Sequence, residues 1–161
     1  MAKSLDAVIR ETLENKIGDQ VWKVLKKHIK TDIYDAYNPK GNWSFAESTR
    51  RKSGGLSDDA NKYTEVVKLP NGTWRLRVTS IADPSPSVLG WAWVPSIGGF
   101  LQMLEKGDLG FWTRKHSQNM TREGEKKTFP RPAITNAQDE VNKNYEKYRA
   151  ELYAAISKAL S

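Results

Sequence analysis

A chain of 161 residues has the length of one domain, and its composition, 38% apolar and 28% charged, supplies a core while leaving generous polar surface. No window approaches the roughly 18 consecutive apolar residues of a membrane span, the charged N-terminus MAKSLDAVIRETLENK lacks the apolar core of a signal peptide, and the absence of cysteine excludes disulfide scaffolds, thiolate zinc sites and thiol nucleophiles. The 26 basic and 19 acidic residues leave an excess of +7, which points to an acidic partner without naming it.

The first element in chain order is a long helix from about Ser4 to about Tyr37. Ser4 suits the N-cap and Asp6 the first turn, where a carboxylate favours the positive end of the helix dipole. Leu5, Val8, Ile9, Leu13, Ile17, Val21, Leu25, Ile29 and Ile33 recur at steps of three or four, drawing one apolar stripe. A strict four-residue step overshoots a full turn by about 40°, so the stripe winds around the axis. The helix must therefore curve, break or bury different faces, with Gly18 the weakest point and Asn38-Pro39 the stop.

Residues 38–62 read as a loop rich in Gly, Ser, Asn and charge, in which Trp43, Phe45 and Leu56 can pin the chain to the body. A hairpin over 63–82 follows. Asn71-Gly72 sits between two extended runs, and Trp74, Leu76 and Val78 alternate with Arg75, Arg77 and Thr79 as in a strand with one buried face. Segment 83–133 is loop-rich, with an apolar run at 88–100 broken by Gly and Pro and a short strand or helix at Leu101 to Lys106. The apolar positions from Ile134 to Leu160 return to steps of three and four, a second amphipathic helix starting at Thr135 or Asn136. The expected fold is α+β: one domain over 1–161, with the two helices packed on a small antiparallel sheet and long loops between.

Chemistry finds little purchase in this sequence. His28 and His116 stand in no metal-binding spacing, and no phosphate-cradling loop or nucleophile elbow is present. His28 adjoins the apolar stripe and reads as a helix-surface or interface residue. Glu47, Asp58, Asp59 and Glu105 are acids of the kind a glycosidase pairs, but 19 acids supply such candidates by chance. No catalytic, metal or cofactor site is expected.

Charge is more telling when divided. Residues 1–37 carry +1 and 134–161 carry zero, whereas 111–133 alone carry +4 and Arg50-Arg51-Lys52 form a compact triplet. The cationic candidates for facing a partner or a DNA passage are Arg50, Arg51, Lys52, Arg114, Lys115, Lys126 and Lys127. The candidates for a subunit interface are the aromatics Trp43, Phe45, Trp91, Trp93, Phe111 and Trp112, which lie in segments too long or too apolar for ordinary surface connections.

The order of features carries a resemblance. A helix ending in Tyr34 and Tyr37 leads to Arg50-Arg51 and Gly54-Gly55-Leu56, then to a hairpin, then to Leu104-Glu105-Lys106-Gly107, then to Arg131-Pro132-Ala133 before the last helix. This resembles the small neck and tail-completion proteins of long-tailed bacteriophages, which join head to tail. Ala133 departs from it, standing where that group usually has an aromatic. The resemblance implies a non-enzymatic virion protein, assembled in the host cytoplasm, that works in the neck as a homo-oligomeric ring. Its neighbours there would be the portal or head-closure side and the tail tube or tail terminator, with packaged duplex DNA within reach. The alternative from charge alone is a non-specific nucleic-acid-binding module, in which cations contact phosphates and interleaved aromatics stack on bases.

Overall fold

A computed structural model describes residues 4–35, 55–82, 98–106 and 132–161. The expected α+β arrangement is present, with a long N-terminal helical rod and a C-terminal helical arm beside a two-stranded antiparallel sheet.

The rod is continuous from Leu5 to Asp35, but it is not all α. Helix α1 (Leu5–Glu11) passes into a π turn (Thr12–Ile17), then into α2 (Gly18–His28) and a second π turn (Ile29–Asp35). Ser4 caps it as expected, its Oγ accepting from the Ala7 N–H at 3.3 Å. The π turns answer the problem of the winding stripe. A turn closed by i→i+5 bonds holds more residues than an α turn, so a four-residue step falls short of a full rotation there and overshoots it in α. Alternating the two keeps Leu13, Ile17, Leu25, Ile29 and Ile33 buried along one side. Gly18 is therefore not where the rod yields. It is where the sheet comes closest: a Cβ there would lie 3.2 Å from the Thr64 methyl and 3.1 Å from the Leu13 carbonyl.

Strands β1 (Lys62–Lys68) and β2 (Trp74–Ser80) pair with Val66 opposite Leu76 and Thr64 opposite Val78. That face lies on the rod. The loop between the strands spans residues 69–73, longer than a two-residue Asn-Gly turn. Gly72 takes φ +83°, and Asn71 Oδ1 accepts from the Thr73 N–H and hydroxyl.

The segment around Leu101 is helical, α3 (Gly99–Lys106), with Leu101 and Leu104 buried. The C-terminal arm is two helices where the periodicity predicts one, α4 (Ala133–Lys143) and α5 (Tyr145–Leu160). Asn144 divides them: its side chain donates to the Glu140 carbonyl at 2.8 Å, offering the backbone a local alternative to helix. The arm runs antiparallel to the rod, since Asn136 meets Asp32, Glu140 meets His28 and Glu151 meets Gln20.

Apolar packing falls into two clusters. One joins Trp22, Leu25, Ile29 and Ile33 to Leu56, Ala82, Leu101, Leu104, Ala133 and Ala137. The other, toward the opposite end, joins Leu13 and Ile17 to Val66 and Tyr148, with Trp74, Leu76 and Leu152 packed around them.

Candidate partner-binding end of the molecule

The first cluster also lies beside the residues that flank segments 36–54, 83–97 and 107–131. Residues 36–54 are bracketed by Tyr34, whose hydroxyl accepts from the Leu56 N–H at 2.9 Å. Residues 83–97 are bracketed by Ala82 and Leu101, both in this core. At Gly98, φ is +76° and a Cβ would fall 2.5 Å from Thr79 Oγ1, so the returning chain passes against the sheet where only glycine fits. Residues 107–131 are bracketed by a clamp between helices, in which the Glu105 carboxylate accepts from the Ile134 N–H at 2.8 Å, the Thr135 N–H at 3.1 Å and the Thr135 hydroxyl.

Glu105 thereby caps a helix that starts at Ala133, before the Thr135 or Asn136 start expected from the periodicity. Helix α4 begins at Ala133 with Pro132 at its N-cap position, where proline offers no side-chain acceptor, so a carboxylate from α3 takes the free N–H groups. No local signal reveals this, because donor and acceptor lie about 30 residues apart.

All the cationic and aromatic candidates lie outside the described residues: Arg50, Arg51, Lys52, Arg114, Lys115, Lys126 and Lys127, and Trp43, Phe45, Trp91, Trp93, Phe111 and Trp112. Their segments are rooted together all the same. Segments 36–54, 83–97 and 107–131 carry +3, −1 and +3, five of the seven excess charges, and hold four of the six tryptophans. Scattered in sequence, they depart from one core.

The described part of this end contains an open groove of about 360 Å³ beside α2, lined by Lys23, Lys26, Lys27, Lys30, Tyr34, Asp35 and Ser57. A count over the whole helix hid it. The rod is nearly neutral in sum, yet from Val21 to Lys30 it has four lysines and no acid. Two of the four are held in place. Lys26 Nζ lies 2.8 Å from Asp59 Oδ1, the same oxygen that accepts from Trp22 Nε1 at 2.6 Å. Lys27 Nζ lies 2.7 Å from Glu140 Oε2. The hydrogen bonds from Lys26 and then Trp22 hold the Asp59 carboxyl below the usual aspartate value. Lys23 and Lys30 are exposed, with no carboxylate partner among the described residues.

His28, which reads as a helix-surface or interface residue, lies between rod and arm. Its Nδ1 is 2.9 Å from Asp32 Oδ2 and its Nε2 is 2.9 Å from Glu140 Oε2. Both partners are carboxylates, which only accept. Burial opposes the charge on Asp32, but hydrogen bonds from Asn136, His28 and Thr31 outweigh it and hold the carboxyl below its ordinary value. Glu140 is lowered by Lys27 first and His28 second.

Of the acids a hydrolase could pair, Asp58 caps the turn at Ala60, Asp59 holds Trp22 and Lys26, Glu105 caps α4, and Glu47 lies outside the described residues. Among the described residues no group of three or more His, Asp or Glu is placed to hold a metal ion, and no helix is long and apolar enough to cross a membrane.

No curated protein and no solved structure matches this chain. One family model does, over residues 1–161, and the chain belongs to the YomN family, a phage-associated family.

Proposed function

We propose that this protein is a structural virion component of the phage head-to-tail joint: a neck or tail-completion subunit that forms a homo-oligomeric ring and links the portal or head-closure side to the tail tube or tail terminator. It acts by assembly, without catalysis or cofactor. The observation that carries this reading is the common root of the three long segments. A joint subunit must grip neighbours on either side of it and its own copies around the ring, and it does so with arms anchored in a rigid body. Here a rod, an arm and a hairpin supply the body, and the segments rich in tryptophan and cations start from one end of it. Toward the other end, Leu5, Tyr153 and Leu160 are exposed apolar residues, a second surface for a neighbour to cover.

The test is location and assembly. Mass spectrometry of purified particles is expected to find the chain, and light scattering of the purified protein at high concentration is expected to show oligomers. A chain that stays monomeric and is absent from particles overturns the reading.

A further inference from the structure

Among the described residues, the lysine face of the rod from Lys23 in α2 to Lys30 in the second π turn has no role in holding the fold together beyond the two clamps already described. Lys26 and Lys27 are tied to Asp59 and Glu140, which leaves Lys23 and Lys30 as the outward cations of the groove, against one acid, Asp35, at its rim. Seven residues apart, they stand about two helical turns, roughly 10 Å, from each other on one side of the helix. That distance is about three base-pair rises along a duplex axis.

We propose that this face contacts the phosphate backbone of duplex DNA, without reading sequence. Three observations favour phosphate over a protein surface. The cations of the groove are all lysines, point charges without the planar fork that makes arginine the choice for a fixed carboxylate. Lysine is depleted in protein–protein interfaces, which centre on aromatic and apolar anchors, and none of the exposed large apolar residues of the described chain lines this groove. Asp59 and Glu140 are already engaged with Lys26 and Lys27, so they do not neutralise Lys23 and Lys30. The proposal deepens the reading above by giving the joint subunit a surface for the DNA that passes it, but it can fail independently.

The test is fluorescence anisotropy of the full chain on a labelled duplex of about 20 base pairs, from 50 to 200 mM salt. Wild type is expected to bind with an affinity that falls as salt rises. Lys23→Gln combined with Lys30→Gln is expected to lower the steepness of that dependence by about 2, since each lost phosphate contact removes about 0.9 from the slope. Neither lysine makes an ion pair among the described residues, so the fold is left intact. Lys143→Gln with Lys158→Gln, an equal charge change on exposed positions of the arm, is expected to leave the slope unchanged. No binding by wild type at 50 mM salt, equal slopes for the two double variants, or tighter binding to a polyglutamate peptide than to DNA would each overturn the proposal. Presence in the virion is read separately, so failure here and failure of the joint assignment are distinguishable.

Discussion

The two apolar clusters of this protein are built from the same rod and arm, yet they differ in depth. Around Ile29 and Leu101, both with no exposed surface, packing comes from five separate stretches of chain. Around Leu13 and Tyr148, each 8% exposed, the rod and arm meet only one further layer, the hairpin. The deep cluster is the end from which the long segments depart. The difference is one of buried apolar surface, and the cluster that joins five stretches of chain holds the larger share of it.

The strongest way to break that contrast is to empty the deep cluster. Ile29→Ala or Leu101→Ala is expected to cost about 2–5 kcal/mol in urea unfolding, and Leu13→Ala less, because its site is shallower. Equal losses would mean that the two clusters are not distinct. Next in size is Gly98→Ala, which forces an L side chain to φ +76° and against Thr79. A cost of about 1–3 kcal/mol is expected, with Thr79→Ala recovering the part due to crowding in a double-mutant cycle. Recovery of nothing would place the whole cost in the backbone.

Glu105→Ala removes the only side-chain cap seen on α4 among the described residues, and should lower stability by about 1 kcal/mol. Hydrogen exchange should show the first turn of α4 opening while the thin end keeps its protection.

Acid addresses the seam between rod and arm. Asp32 and Glu140 both have folded values depressed below their unfolded ones, so their contribution is present above the unfolded carboxylate range. It is lost as pH falls through the folded values. Stability is therefore expected to fall below about pH 4 to 5, the ordinary carboxylate range. Glu140→Gln should cost about 1 kcal/mol at neutral pH and make that acid loss shallower; an unchanged acid profile would remove the seam from the account.

The smallest expected effect is a gain at the thin end. Thr64 Oγ1 is buried beside Gly18 without a hydrogen-bond partner among the described residues. Thr64→Val keeps the shape and is expected to stabilise by up to about 1 kcal/mol.

Much of the architecture is legible in the sequence. The stripe of the rod, the alternation in β2 and the Ser4 cap are local signals, and each is found where its pattern lies. Other features depend on partners distant in sequence. The π turns follow from a four-residue repeat having to stay on one side, which the winding of the stripe poses as a problem without solving. The break at Asn144 overrides a periodicity that runs straight through it. The Glu105 clamp and the His28 junction join residues about 30 and 112 apart. The lysine face lay within reach of the sequence, but summing charge over the whole rod cancelled its acidic N-terminal half against its basic C-terminal half. Dividing charge by helical turn would have found it.

Cross-linking mass spectrometry on purified particles tests the central claim most directly, because lysines occur in segments 36–54 and 107–131 and along the arm. If those segments grip neighbours, cross-links to other virion proteins should come from Lys40, Lys52, Lys115 and Lys126, with Lys158 beside the second surface also reacting and few from Lys143 and Lys147 midway along the arm. Cross-links to those proteins concentrated at Lys143 and Lys147, or a chain missing from the particle, would contradict it.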